Sequence, residues 1–153
     1  MNKLLHDKIV KRLKLRDVYY EIKGEAIHVD MDMEGVLGTI HLVTHTELNS
    51  MTTVAYWRGR VPEQYRAMVG EYLHRANIGL LRGNFEFDYD TGEVDYKLTI
   101  DVFDATNVPN KAIDMNIMIP CLMFERYGEG IIRLSLGEGT PMNMLDKAEM
   151  QAF

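Results

Sequence analysis

The chain has 153 residues, of which 46% are hydrophobic and 26% are charged, and its formal net charge is −6 at pH 7. This composition is that of an ordinary globular domain, and it excludes a disordered or collagen-like chain. The acidic balance argues against general nucleic-acid binding, which needs a concentrated basic surface. No apolar run approaches the roughly 20 residues that span a bilayer. We therefore expect a single domain over residues 1–153, with no nucleic-acid and no membrane partner.

Positive charge is concentrated in residues 1–16, which we expect to form a basic N-terminal helix. Six bases and one acid give this segment a charge of +5 and leave −11 for the remainder. Leu5, Ile9 and Leu13 recur every four residues, as in a helix that docks one apolar stripe on the body. Contact with an anionic membrane or a nucleic acid is the alternative use of such a segment. The lack of a secretory apolar core and the single cysteine, Cys121, favour a cytoplasmic location.

Residues 18–57 carry the alternation of apolar and polar side chains that is typical of strands. The alternation runs through residues 18–22 and 27–33, which is the pattern of one strand broken around Gly24. Glu34-Gly35 is predicted to be a two-residue hairpin loop, because Gly tolerates the positive φ that such a loop requires. Two further strands are predicted, one through Ile40 and Leu42 and one at residues 51–57, MTTVAYW.

The second half of the chain predicts a helix, a hairpin and a second helix. Pro62 begins a helix that runs to about Leu80. Residues 83–101, GNFEFDYDTGEVDYKLTID, alternate on both sides of a three-residue loop at residues 90–92, so they predict a β-hairpin. Pro109 begins the next helix, which is predicted to end at Gly128 and to kink at Pro120.

These elements predict the fold class. Their order is α-β-β-β-α-β-β-α, and the apolar positions of the strands fall on one face. We therefore expect an α+β domain of two layers, in which an antiparallel sheet has its helices packed on one face. Residues 141–153 are expected to form a C-terminal tail.

The predicted helix after Pro109 is apolar at nearly every position from Met115 to Phe124. Such a helix must be covered on more than one side, either by residues 131–136 folding over it or by another chain. Methionine adapts its shape to varied partners. We therefore expect another polypeptide to bind here, and the residues predicted to contact it are Met115, Met118, Leu122 and Met123.

Three histidines lie in the first predicted hairpin. If Met33 pairs with Val36 across a two-residue loop, His28 stands directly opposite His41, with Cβ atoms roughly 5 Å apart. Such a pair on the solvent face would sense pH or hold an ion, whereas solvated histidines without a role are the simpler interpretation. His41 and His45 lie roughly 13 Å apart along one strand, which is too far to share an ion.

No motif in the sequence predicts catalysis, a cofactor or a metal. Asp30, Asp32 and Glu34 begin like a calcium loop, but His41 stands where the closing glutamate belongs. The apolar neighbours of Cys121 predict a buried neutral thiol rather than a nucleophile. The charged face of the 83–101 hairpin offers carboxylates, but we expect an open sheet face to lack the pocket that shifts carboxylate pKa values. We therefore predict no catalytic, cofactor-binding or metal-binding residues.

The sequence resembles the YbjN family of bacterial domains, which are labelled as candidate sensory transduction regulators. The resemblance covers about residues 25–145. It lies in the following stretches: VPEQYR, RANIGLLRGNFEFDYDTGEVDYKLTIDV, FERYGEGI and LGEGTPMNML. The family's fold is similar to that of type III secretion chaperones, which are small dimers that hold an extended or partly unfolded partner. No biochemical activity is established for the family, so the resemblance implies no catalytic residues.

Together, the residues and the resemblance predict a non-enzymatic protein-interaction module, chaperone-like or regulatory. We expect it to be a homodimer that binds another polypeptide in the cytoplasm and needs no cofactor. Two alternatives stay open. One is a sensor of a small ligand or metal ion on the polar sheet face, and the other is an enzyme whose site the sequence does not reveal.

Overall fold

A computed structural model describes residues 1–150 of the chain. Four helices and six strands lie in these residues. The helices are α1 (Lys3–Leu15), α2 (Arg66–Gly79), α3 (Asn110–Ser135) and α4 (Pro141–Met150), and a 3₁₀ turn (Glu63–Tyr65) precedes α2. The strands are β1 (Glu21–Lys23), β2 (Ala26–Asp32), β3 (Thr39–Thr46), β4 (Ser50–Trp57), β5 (Asn84–Phe87) and β6 (Val94–Asp101).

The six strands form one antiparallel sheet in the order β1-β2-β3-β4-β6-β5. Along each central strand the side chains alternate between a buried face and a face that is more exposed. The buried face carries the apolar core, and helices α1 and α3 contact it. The predicted α+β class with an antiparallel sheet is confirmed. The uncovered side is called the outer face below.

Aromatic side chains fill the core where α2 and α3 meet the β5–β6 end of the sheet. Phe85 packs edge-on against Tyr96, Phe124 and Tyr127, with ring centroids 4.9–5.6 Å apart. The buried Tyr72 hydroxyl donates to the backbone oxygen of Tyr127 at 2.9 Å, which satisfies its polar group inside the core. These contacts fix α2 and α3 relative to the hairpin.

The strand predicted to break around Gly24 is a hairpin of two strands. Gly24 takes a φ of 63°, and Lys23 pairs with Ala26, so Gly24 and Glu25 form a two-residue turn. β1 is a short edge strand whose three residues are exposed. The element order therefore contains one strand more than predicted, and α4 adds a helix in the segment expected to be a tail.

The loop between β2 and β3 is two residues longer than predicted. Asp32 pairs with Thr39, and the Met33 N–H donates to the Gly38 oxygen at 2.9 Å, so the loop spans four residues, 34–37. Consequently His28 pairs with Val43, and His41 pairs with Asp30. A shift of two residues leaves every side chain on its predicted face.

The predicted end of the long helix at Gly128 is also wrong, because α3 continues to Ser135. Gly128 and Gly130 are not stop signals. A Cβ at residue 128 would overlap Leu37, and one at residue 130 would overlap Tyr72, so both glycines allow close packing within the helix. Residues 131–135 therefore extend α3 rather than fold over it, and α4 packs against α2 and α3 instead.

Candidate functional site

Two histidines lie in contact on the outer face of the sheet. His28 on β2 and His41 on β3 are diagonal neighbours across the pair of strands, and their ring centroids are 5.2 Å apart. Nδ1 of His28 lies 3.0 Å from Nε2 of His41, which is hydrogen-bond distance. The sequence predicted that His28 and His41 lie close together, but it predicted the wrong register for their two strands.

A carboxylate and a guanidinium extend this contact into a chain of four groups. Nδ1 of His41 lies 2.7 Å from Oδ1 of Asp30, and Nη2 of Arg58 donates to Oδ2 of Asp30 at 2.8 Å. The hydrogen bond from His41 is the main reason that the pKa of Asp30 lies below its usual value. Because Asp30 is an ionised acceptor, His41 carries a proton on Nδ1.

These four residues line a polar depression of about 220 Å³, which we call the histidine pocket. Glu21 pairs directly with His28 across β1 and β2, and it forms an ion pair with Lys23 at 2.8 Å. Burial, and next the proximity of His41, lower the pKa of His28. The complete lining of the histidine pocket is Tyr19, Glu21, Lys23, His28, Val29, Asp30, His41 and Arg58.

Within residues 1–150, no group of three or more His, Cys, Asp or Glu side chains is placed to hold a metal ion. Asp32, part of the calcium-like sequence, accepts a hydrogen bond from Thr39 at 2.8 Å. His45, two residues beyond Val43 on β3, is exposed.

The four residues predicted to bind a partner lie on two faces of α3. Met115, Met118 and Leu122 fall on one stripe, at spacings of three and four residues. Met118 is 43% exposed, and the other two are partly buried. Met123 points elsewhere and is buried within its own chain. It is therefore unavailable to a partner in this conformation, and this part of the prediction needs correction.

An apolar groove runs beside Met118, between the end of α1 and the first half of α3. Its volume is about 250 Å³, and we call it the α1–α3 groove. Its apolar lining residues are Leu13, Val18, Val29, Met31, Ile117 and Met118. Three charged residues, Arg12, Arg16 and Asp114, complete the lining. Of the groove residues, only Met118 was among those predicted from the sequence to bind a partner, because α1 and β2 contribute to the groove from distant positions.

The charges beside the groove form one connected group. Arg12 binds both carboxylate oxygens of Asp114, at 3.0 and 2.6 Å, and Arg16 donates to the same carboxylate at 2.7 Å. The Arg12 hydrogen bonds are the main cause that lowers the pKa of Asp114. Two guanidinium groups thus share one carboxylate, so the group has a surplus positive charge.

Asp95, one of the carboxylates on the charged face of the 83–101 hairpin, lies on the outer face of β6. The pKa of Asp95 is raised to about 6, first by burial and second by repulsion from Glu86. Its Oδ1 atom is buried and has no hydrogen-bond partner within the described residues. The expectation that an open sheet face does not shift carboxylate pKa values is therefore wrong. Alternation placed Asp95 on the outer face correctly, but it carries no information on how Tyr56 and Glu86 crowd it across the strands.

The groups considered for catalysis do not converge. Asp95 pairs with Tyr56 on β4, and Tyr56 in turn pairs with His41 on β3, so a whole strand separates Asp95 from His41. Cys121 is buried, which raises the pKa of its thiol to about 12 and keeps it protonated. The geometry therefore offers a polar histidine pocket and an apolar groove rather than an assembled nucleophile and base.

The protein therefore has a two-layer α+β fold, in which helices cover one face of the sheet. The chain matches no family model, and no curated protein matches it in sequence. Among solved structures it is similar to the crystal structure of YbjN, a candidate transcription regulator from E. coli. The TM-score is 0.51 and the sequence identity 15%, with 92% of this chain and 88% of that chain covered.

A looser likeness is to the structure of the HopA1-SchA chaperone-effector complex. It has a TM-score of 0.48 and 11% identity, covering 82% of this chain and 92% of that chain. The shared fold therefore rests on YbjN, and it confirms the YbjN-like fold that the sequence resemblance implied. No helix within residues 1–150 combines the length and apolar character required to cross a membrane.

Proposed function

We propose that this protein is a non-enzymatic protein-interaction module, chaperone-like or regulatory, that binds a segment of another polypeptide in the α1–α3 groove. The observation that carries the proposal is the groove itself, where Met118 is 43% exposed beside apolar side chains from three elements. A concave apolar surface with a few polar groups at its rim is the usual form of a binding site. The flexible Met31 and Met118 side chains suit partners of varied shape.

The charges at the rim select the chemistry of the partner. Arg12 and Arg16 share the single carboxylate of Asp114, and Arg16 keeps 50% of its side chain exposed. α1 also carries the exposed bases Lys11 and Lys14. A partner segment that presents apolar side chains beside a carboxylate would complement both the groove and this charge. We therefore propose an acidic, amphipathic segment as the occupant.

Two synthetic peptides test this proposal. Both present the same leucine and phenylalanine side chains, but the first flanks them with glutamates and the second with lysines. We expect the acidic peptide to bind at least about tenfold more tightly, a difference of roughly 1.4 kcal/mol, and to weaken as salt is added. Fluorescence anisotropy with labelled peptides measures both affinities.

A matched pair of variants locates the binding site. Met118→Glu places a charge in the groove and should abolish binding of the acidic peptide. Met142→Glu is the control, because Met142 has nearly the same exposure, 44%, but lies on α4. The proposal fails if neither peptide binds, or if both variants bind as well as the parent protein.

We further propose that the protein is a homodimer in the bacterial cytoplasm. The family resemblance supports the dimer, and the single buried cysteine is compatible with a reducing compartment. Analytical ultracentrifugation should give twice the chain mass of 17.7 kDa at micromolar concentration. A monomer over the whole concentration range contradicts the dimer while leaving the groove proposal intact.

A second candidate function is the sensing of a small ligand or an ion in the histidine pocket. The observation that favours it is the convergence of imidazole, carboxylate and guanidinium groups around a depression of about 220 Å³. Thermal melting with and without Zn²⁺ tests the ion. A melting shift that His28→Gln removes supports this candidate, and an unchanged melting temperature contradicts its ion form.

A further inference from the structure

The contact between His28 and His41 sets a limit on how many protons the pair can hold. A hydrogen bond between two ring nitrogens needs one proton between them, and these nitrogens lie 3.0 Å apart. Asp30 accepts a hydrogen bond from Nδ1–H of His41, so in the neutral pair Nδ1–H of His28 donates to Nε2 of His41. One added proton keeps a hydrogen bond, whichever ring is charged. A second added proton leaves N–H facing N–H, and the contact becomes repulsive.

The surrounding charges leave one alternative acceptor for His28. Asp30 is already held by His41 and Arg58. On β1, Glu21 stands directly opposite His28 and forms an ion pair with the exposed Lys23. The phenol of Tyr19 also contacts Glu21, at 3.4 Å, and His45 lies further along β3. Glu21 is therefore the carboxylate that a second imidazolium would meet.

We propose that His28 is a proton-operated switch between two partners. In its neutral form it bonds to His41 and ties β2 to β3 across the outer face. When both rings are protonated, His28 leaves His41 and pairs with Glu21 on the edge strand β1, in competition with Lys23. Acid thus rearranges the histidine pocket while His41 stays bound to Asp30.

The electrostatics of the pocket give the switch its direction. The pKa of Asp30 is lowered, chiefly by the hydrogen bond from His41, so Asp30 stays ionised and holds His41 in place. The pKa of His28 is also lowered, first by burial and next by the proximity of His41, so His28 resists taking up a further proton. A histidine with a lowered folded pKa contributes stability that is present above its unfolded pKa, about 6.5. That stability is lost as the pH falls through the folded pKa.

NMR of the imidazole nitrogens tests the switch in the full-length protein. Spectra are recorded from pH 4.5 to 8.5 in EDTA, which removes adventitious metal. We expect His28 and His41 to titrate in two steps, separated by about one pH unit or more because the rings are coupled. At pH values above both steps, where the two rings are neutral, Nδ1 of each ring should carry the proton.

Three variants separate the switch from ordinary surface histidines. His41→Gln should raise the pKa of His28 by removing the competing charge, and Glu21→Gln should lower it by removing the second partner. His45→Gln, on the same face, removes a weaker repulsion and should raise the pKa of His28 less than His41→Gln does. Independent titration of both rings near 6.5 in the parent protein overturns the proposal even if no variant folds. So does a coupling that appears only in spectra recorded without EDTA.

Discussion

Leu37, in the loop between β2 and β3, lies against Gly128 in the middle of α3, where any Cβ would overlap the leucine side chain. Leu37 is 8% exposed although its loop neighbours are open to solvent. One contact thus holds the end of a hairpin against the long helix. It requires both the four-residue loop and a glycine inside the helix.

Gly128→Ala should destabilise the protein by about 1–3 kcal/mol, because the added methyl overpacks the contact with Leu37. The matched control is Gly79→Ala at the end of α2. The nearest atom to a Cβ there is Oε1 of Glu149, at 3.6 Å, so that position has room. Since alanine is the better helix former, we expect Gly79→Ala to be neutral or slightly stabilising. Urea denaturation measures both, and equal effects would contradict the packing argument.

The buried polar chain between the sheet and α3 gives a second prediction. Thr53 donates to Oδ1 of Asn116 at 2.7 Å, and Nδ2 of Asn116 donates to the Leu98 oxygen at 3.3 Å. Asn116→Leu removes the Thr53 hydroxyl's acceptor on α3, leaving that hydroxyl only Thr44 at 2.9 Å, and removes the amide that donates to Leu98, at a cost of about 1–3 kcal/mol. Adding Thr53→Val should recover part of that loss. A double-mutant cycle from urea denaturation checks this, and strictly additive losses would show that the two groups are not coupled.

Asp95 predicts an unusual pH dependence of stability. Its folded pKa is raised from 3.8 to about 6, so between these values the folded state binds more protons than the unfolded state. Stability therefore falls as the pH rises through this window. Asp95→Asn should remove that fall and stabilise the protein at pH 7 by about 1–3 kcal/mol. Asp101→Asn, exposed on the same strand, is the control, and urea denaturation at pH 4.5 and pH 7 distinguishes the two.

Asp114 predicts the opposite dependence. Its pKa is lowered, chiefly by the hydrogen bonds from Arg12, so it stabilises the fold above its unfolded pKa. That stability is lost as the pH falls through the folded pKa. Asp114→Asn should cost about 1–3 kcal/mol at pH 7, because it leaves two guanidinium groups with a neutral partner. Glu71→Gln breaks only an exposed pair with Arg75 and should cost less than about 0.5 kcal/mol. A smaller effect at Asp114 than at Glu71 would contradict the rim geometry.

The local sequence pattern predicted correctly which face of a strand each side chain occupies. Alternation assigned Phe85 and Val94 to the buried face, and both are buried. It also assigned His28 and His41 to the outer face. These assignments succeed because the side-chain period of a strand is a property of its backbone.

The errors have a common cause in contacts between distant residues. The four-residue loop at Gly35 and the continuation of α3 past Gly128 together bring Leu37 onto Gly128, a contact between residues far apart in the sequence. Neither segment signals the other in the sequence. The α1–α3 groove and the crowding of Asp95 have the same origin, since each gathers side chains from three elements or strands.

Within residues 1–150, β2 is the one strand that lines both proposed sites: Met31 lines the groove, His28 and Asp30 line the histidine pocket, and Val29 lines both. Substitutions of Met31 should therefore affect the groove, those of His28 and Asp30 the histidine pocket, and those of Val29 both sites. Inserting one residue in the middle of β2 would move the side chains that follow it to the opposite face of the sheet, and it should disrupt both sites.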